Sequence, residues 1–200
     1  MSGVTLGTIV AIVVVVIVVL LVIYFLRRRR AQRGEEQRER TREEFGSEYD
    51  RTAERHDSEA EAEKELRQRR GQMERQVESL SSESRERYEE RWREVEGVFV
   101  DNPERSVELA DRTVTDLLEE RNFVGESSQG EEETERGLAV MHPEVGDDYR
   151  EARRIRASIV ARSAHGPEDS SAEETDEEGT EELRQAIRKY RAVYERLMER

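Results

Sequence analysis

The chain has no cysteine, and this absence removes a whole class of chemistry. Disulfides, thiolate metal sites and a cysteine nucleophile are all excluded. The sequence also lacks the phosphate-binding loop GxxxxGK[ST], the dinucleotide motif GxGxxG, the zinc motif HExxH and the nucleophile motif GxSxG. The sequence therefore predicts no enzyme activity, no cofactor and no metal site.

Histidine is scarce, and the three histidines are scattered. His56, His142 and His165 fall in different segments, and none has a second histidine at ligand spacing. His142 stands at the expected start of a helix, with no partner for a general base visible in the sequence. Asp147 and Asp148 can serve acid–base or metal chemistry. With 48 acidic residues, however, such pairs arise by chance, and a solvated helix face is the preferred interpretation.

Lysine is almost absent, and basic charge is unevenly placed. The whole chain carries a net charge of −14. Because residues 1–33 contain five arginines and no acid, residues 34–200 carry −19. A region this acidic repels phosphate backbones, so nucleic acid is excluded as an expected partner.

One long apolar run stands at the start of the chain. Residues Val4 to Leu26 contain no charged side chain. As a helix this run reaches about 34 Å, enough to cross a hydrocarbon core of about 30 Å. A cleaved signal peptide is the competing interpretation, but the run is too long and ends without a small-residue cleavage site. We therefore expect an uncleaved transmembrane helix over 4–26, with the lipid bilayer as a partner.

The flanks of this run predict its orientation. No basic residue precedes it, and four arginines follow it at once: Arg27, Arg28, Arg29 and Arg30. The positive-inside rule then predicts a plasma-membrane protein with its N-terminus outside and its C-terminal region in the cytoplasm. The four arginines and Tyr24 are the residues expected at the membrane interface.

Small residues recur along the predicted span. Gly3, Gly7 and Ala11 are spaced four apart, on one face of a helix. Such a row lets two helices approach closely and can drive homodimerisation. The alternative is that small residues simply populate the outer end of the span.

The sequence predicts that residues 27–80 form a basic flank followed by a charged helical stalk. Only six of the 48 residues from 34 to 81 are large and apolar, too few for a core. Leu66, Met73, Val77 and Leu80 share one narrow stripe, which favours a helix. Coiled-coil pairing is weakly supported, because Arg69, Arg70 and Gly71 interrupt the seam. The sequence leaves open whether this stalk extends freely or packs on the later residues.

Residues 81–200 predict a small irregular bundle of four amphipathic helices, so the fold class is all-α. Ser81 is a candidate N-cap, and Asn102-Pro103 begins the second helix. Two acidic segments, 124–137 and 167–179, are expected to be loops.

Aromatic residues follow the helical stripes of this predicted bundle. Trp92, Tyr190 and Tyr194 can form a surface for a partner helix. The alternative is that they supply the core, because aromatic side chains provide much of the burial in a small domain.

Four segments carry a resemblance to a known family: EEFGSEYDRTAERH (43–56), LSSESRERYEERWREVEGVFVDNPERSVELADRTVTDLLEERNF (80–123), HPEVGDDYREARRI (142–155) and GTEELRQAIRKYRAVYERLM (179–198). In this order they resemble uncharacterised, mostly actinobacterial proteins. The resemblance implies one N-terminal span and a helical cytoplasmic region, without an activity, cofactor or catalytic residue. Residues 127–137 depart from the more regular segment of that family.

Three functional hypotheses follow from the sequence. The first is a non-enzymatic, membrane-anchored scaffold or interaction protein with a protein partner. The second is a membrane-tethered regulator that sequesters a soluble partner and releases it on a signal. The third is an enzyme whose site lies in the bundle without a recognised motif.

Overall fold

The computed structural model describes Tyr24 and residues 38–123, 130–165 and 172–199. Across these residues the chain is helical and contains no strand, so the predicted all-α class is confirmed.

Residues 1–44 and 45–200 form two separate units. In the first, Tyr24 and residues 38–44 are helical. Apart from Tyr24, the predicted span 4–26 and its basic flank lie outside the described residues. Among the helices that are described, none combines the length and apolarity that crossing a bilayer requires.

The second unit contains seven helices within the described ranges. In chain order they are α1 (Ser47–Arg55), α2 (Glu59–Gln76), α3 (Ser82–Phe99), α4 (Pro103–Glu120), α5 (Gly130–Met141), α6 (Pro143–His165) and α7 (Ala172–Met198).

Polar caps fix the start of three of these helices. Ser58 Oγ accepts the backbone N–H of Glu61 at 3.3 Å at the start of α2. Ser81 caps α3, and Asn102 caps α4 ahead of Pro103, as the sequence predicts. Each cap satisfies a backbone donor that the first turn of a helix leaves unpaired.

Both expected acidic loops are partly helical. Residues 130–137, predicted as loop, form the first turns of α5, and residues 172–179 form the first turns of α7. The acidic composition at the start of α5 predicts a loop. Its last turn, however, carries Leu138 and Val140, which are 0% and 1% exposed. Burial of this apolar end stabilises the helix, and the acidic first turn is helical because it continues into the same helix.

Residues 45–80 of the predicted stalk belong to the same unit as the later helices. Phe45, Tyr49 and Leu66 pack together with Val140 of α5 in a cluster of their own. Residues 45–80 cannot bury these side chains alone, and α5 supplies the missing surface. These early residues therefore share a core with α5.

The larger core lies around α4. Val114, Leu117 and Leu118 of this helix are completely buried. Helices α3, α6 and α7 pack around it, and α6 and α7 also pack extensively on each other. This arrangement leaves α2 at the edge of the unit, with α1 and α5 as its main neighbours.

Candidate functional site

Most of the predicted membrane-facing residues fall outside the described part of the chain. These are Arg27, Arg28, Arg29 and Arg30 at the interface and Gly3, Gly7 and Ala11 in the predicted dimer row. Tyr24 is described: it is helical, and 57% of its surface is exposed.

The three aromatic residues considered as a partner surface lie in the core. Trp92, Tyr190 and Tyr194 are 5%, 0% and 7% exposed. The rings of Trp92 and Tyr194 stack with their centroids 4.5 Å apart. Almost none of the surface of these three rings is accessible to a partner protein. The physical reason is that the unit has few large apolar side chains and uses its aromatic residues for burial.

His142 is held as a neutral hydrogen-bond acceptor. Its Nδ1 accepts a hydrogen bond from Arg196 Nε at 3.0 Å. Burial, reinforced by the positive charge of Arg196, lowers the pKa of His142 to about 4. The imidazole is therefore uncharged at neutral pH, and its ring joins α7 to the connection between α5 and α6.

The acidic pair that follows His142 is used in packing. Asp147 lies 2.9 Å from Arg51 of α1 and 2.7 Å from Arg150 of its own helix. Asp148 accepts from Lys189 of α7 at 2.8 Å. The two carboxylates thus join α6 to two different helices instead of converging on a common site.

A buried polar centre lies where α4, α6 and α7 meet. Tyr190 donates its hydroxyl to Asp111 Oδ1 at 2.9 Å, and Arg156 Nε lies 3.1 Å from the other carboxylate oxygen. Burial raises the pKa of Tyr190, and it raises the pKa of Tyr149 to about 12. Both hydroxyls therefore stay protonated at neutral pH, which suits a structural role.

An open polar surface lies along α2. Two adjoining pockets of about 440 and 550 Å³ share Arg69 and Gln72. The first is also lined by Arg75, Phe123 and Glu133, and the second extends to His56 and Lys64. Together they form what we call the α2 groove. Both volumes fall within the range of small-ligand sites in proteins.

The helical period of α2 separates its buried and exposed residues. Ala62, Leu66 and Met73 face the unit and are at most 7% exposed. The exposed residues of α2 that line the groove are spaced by three, four, four and three: Glu61, Lys64, Gln68, Gln72 and Arg75. Helical periodicity places such residues in one row along the helix.

The floor of the first pocket depends on a glycine. Met73 and Phe123 supply its apolar surface, at 7% and 1% exposure. A Cβ on Gly137 of α5 would lie 3.0 Å from Met73 Cε.

At the end of α2, the Gln76 side chain donates to Asn122 O at 2.9 Å, and the Asn122 amide donates back to Gln76 O at 3.2 Å. This reciprocal pair fixes the C-terminal end of α2 beside Phe123.

The first pocket carries positive charge in an acidic chain. Arg69 pairs with Glu65 at 3.2 Å, and Glu133 pairs with Arg136 at 3.4 Å. Arg75 makes no ion pair with any residue that the structure describes. Its charge therefore remains available at the mouth of the pocket.

The helical patterns of the sequence do not predict this groove, because residues 27–80 are expected to form a stalk. A compositional signal is present, however: residues 67–76, RQRRGQMERQ, contain four arginines and one glutamate. This short basic stretch stands out within the acidic region 34–200.

The second pocket extends to the pair formed by His56 and Glu65. His56 Nε2 contacts Glu65 Oε2, and this contact joins the α1–α2 connection to α2. Hydrogen bonding to His56 and the charge of Arg69 lower the pKa of Glu65 against the effect of burial. The described residues contain no group of three or more side chains able to hold a metal ion.

A third pocket, of about 200 Å³, is more apolar. It lies between Val107 of α4, Ile159 of α6 and Leu183 of α7. Its volume is below the usual range for a ligand site, so the α2 groove is the stronger candidate.

Comparison with protein families, curated proteins and solved structures gives no match for the chain.

Proposed function

We propose that this chain is a single-pass membrane protein whose helical unit binds another protein at the inner face of the membrane, without enzymatic activity. The membrane part of the proposal is supported by the apolar run 4–26 and the arginines that follow it. The resemblance to actinobacterial proteins with one span and a helical cytoplasmic region supports the same architecture.

The observation that carries the binding function is a contrast within the fold. The polar residues considered for chemistry are engaged: His142 with Arg196, Asp147 with Arg51 and Asp148 with Lys189. The α2 groove instead presents polar side chains to solvent and includes an arginine without an ion pair in the described structure. An open, polar groove beside a rigid helix is a surface suited to recognition.

The topology is tested by reporter fusions at the C-terminus of the full chain. We expect a reporter that is active only in the cytoplasm to give signal, and one active only outside to give none. Replacing Arg27, Arg28, Arg29 and Arg30 with glutamine is expected to weaken this preference. Signal from the external reporter alone would overturn the proposed orientation.

Partner binding is tested by formaldehyde crosslinking of the full chain in cells, followed by identification of the crosslinked proteins. We expect one or a few defined partners that are recovered at the membrane. A matched chain of residues 34–200, which lacks the predicted anchor, should lose the membrane location of the complex. A chain that gives no intermolecular product would contradict the binding function.

A further inference from the structure

Two arginines from different parts of the fold cap the C-terminal end of α7. Arg121, directly after α4, donates from Nη1 to the backbone oxygen of Leu197 at 2.7 Å. Arg85 of α3 donates from Nη1 to the backbone oxygen of Met198. The two acceptors belong to consecutive residues, whose Cα atoms lie about 3.8 Å apart. The two guanidinium groups are therefore held close together at the end of α7.

Neither of these guanidinium groups has an acidic partner. Within the described part of the chain, Arg85 and Arg121 bond to backbone oxygens and make no ion pair. Both side chains are half-buried, so each charge has lost part of its water. Burial lowers the pKa of the Arg121 guanidinium, and the positive charges of Arg85 and Arg196 lower it further. Arg121 is thus a partly buried cation whose strongest charged neighbours are also cations.

The acids near this end of α7 do not balance the two capping arginines. Arg196 lies 2.7 Å from Glu144 of α6 and also contacts Glu199, so these two carboxylates are paired with a third arginine. Glu78 exchanges backbone contacts with Arg121: its N–H donates to Arg121 O at 3.0 Å, and its carbonyl accepts from Arg121 Nε at 3.1 Å. The Glu78 carboxylate makes no ion pair with any described residue.

The end of α7 itself supplies only part of the missing negative charge. The C-terminus of a helix is equivalent to about half a negative elementary charge. Two full positive charges therefore leave more than one elementary charge uncompensated. Each guanidinium also carries five N–H groups, of which Arg85 uses one on the backbone and Arg121 uses two. Most of their donors remain available.

From this excess of charge and donors, we infer that Arg85 and Arg121 together bind a doubly charged oxyanion of the phosphate type. The forked N–H groups of a guanidinium match the spacing of phosphate oxygens. A charge of −2 balances both arginines, whereas a single carboxylate leaves one of them uncompensated. Neither residue lines the α2 groove, so this site is separate from the surface proposed for a protein partner. The phosphate group belongs either to a dissolved ion or to a lipid headgroup, and the two sources are distinguished below.

Thermal unfolding of the full chain in phosphatidylcholine nanodiscs gives the first test. The chain is measured in sodium phosphate and in sodium chloride of equal ionic strength. At a phosphate concentration about tenfold above the dissociation constant, we expect a midpoint about 3–6 °C higher than in chloride. Arg85→Gln should lose this difference, which is taken within each variant and so does not depend on the variant's own stability. Arg85→Lys, which keeps the charge without the fork, should retain part of it.

Arg93→Gln is the matched control for this measurement. Arg93 lies on the same helix as Arg85, about 12 Å away along its axis. It also makes no ion pair with a described residue, but its side chain is exposed. Phosphate stabilises folded proteins in general by exclusion from their surface. Arg93→Gln should therefore keep the full difference of the unchanged chain.

Chemical modification gives a second measurement that needs no variant. Phenylglyoxal reacts with accessible arginine side chains, and mass spectrometry of the resulting peptides reports each arginine separately. We expect phosphate to slow the modification of Arg85 and Arg121 about fivefold or more, because a site that is about nine-tenths occupied reacts only in its empty fraction. The rate at Arg93 should not change.

Each outcome supports the site or overturns it. Protection of Arg85 and Arg121 by dissolved phosphate, with loss of the thermal difference in Arg85→Gln, supports a site for the free ion. Protection that appears only when phosphatidic acid is added to the nanodiscs assigns the phosphate group to a lipid headgroup. An equal thermal difference in Arg85→Gln and Arg93→Gln would reveal a general salt effect and overturn the inference. Modification of the two arginines that neither phosphate source slows would overturn it as well.

Discussion

The hydroxyl of Tyr190 donates a 2.9 Å hydrogen bond to Asp111, a residue 79 positions earlier in the chain. The tyrosine is completely buried and the aspartate is 8% exposed, so neither has ready access to water as a substitute partner. This contact joins α7 to α4 in the middle of the larger core.

Tyr190→Phe should therefore destabilise the unit by about 1–3 kcal/mol, because a buried acceptor loses its donor while the packing is kept. The measurement is urea unfolding of the full chain, followed by circular dichroism. Tyr194→Phe is the matched control: this ring is also buried, and stacking on Trp92 does not depend on its hydroxyl. An equal loss of stability in the two variants would contradict the importance of the Asp111 contact.

Two glycines should respond in opposite ways to alanine. A Cβ on Gly146 of α6 would lie 2.7 Å from the Cα and Cβ of Ala139 on α5. Gly146→Ala should therefore force the two helices apart and cost about 1–3 kcal/mol or more. Gly97→Ala has no atom within 4 Å of the new Cβ and lies in the exposed part of α3. It should stabilise the unit by up to about 1 kcal/mol through helix propensity. Thermal unfolding of both variants checks the pair.

His142 should make stability depend on pH below neutrality. Its pKa in the folded chain is about 4, below the ordinary value of 6.5. The unfolded chain therefore binds a proton first as the pH falls, and the free energy of unfolding should decrease between about pH 6.5 and 4. Besides Arg196, the charged groups that act on it are Arg121, Glu144 and Glu199.

The variant His142→Asn isolates this dependence. Its side-chain oxygen can accept from Arg196 but does not titrate, so the variant should lose part of the pH slope. Urea midpoints of both chains at several pH values give the comparison, and other titrating groups contribute equally to each. Parallel slopes in the two chains would contradict the assignment.

Glu48 should control the docking of α1. This carboxylate is 2% exposed and lies 2.5 Å from Arg150 of α6 and 3.3 Å from Arg55 of α1. Glu48→Gln leaves the two guanidinium groups without their shared countercharge. We expect faster hydrogen exchange in α1, with little change in α4. Glu54→Gln, at an exposed position of the same helix, should have no such effect.

Sequence patterns predicted the helices that carry their own signals. The caps Ser81 and Asn102 and the apolar stripes of α3, α4, α6 and α7 were readable because each is local in the chain. The first turns of α5 were not, because their helical state depends on burying Leu138 and Val140 against other helices. For the same reason, the sequence could not place α1 and α2: their apolar residues become a core only when Val140 joins them.

The candidate site was harder to predict than the fold. Trp92 and Tyr190 were considered for a surface because amphipathic stripes do not reveal which stripe lies innermost. The α2 groove arises from the meeting of α2, the α4 end at Phe123 and the α5 residue Gly137, which are far apart in sequence. The one signal of it in the sequence is the presence of four arginines in residues 67–76, from which no site was predicted.

The cluster that joins Phe45 and Leu66 to Val140 also sets an order of events during biosynthesis. Leu66 leaves the ribosome well before Val140, and at about 5–20 residues per second the interval is several seconds. During that time the early apolar side chains have no surface to cover them. Nascent chains arrested before residue 140 should therefore be the ones that chaperones and proteases engage.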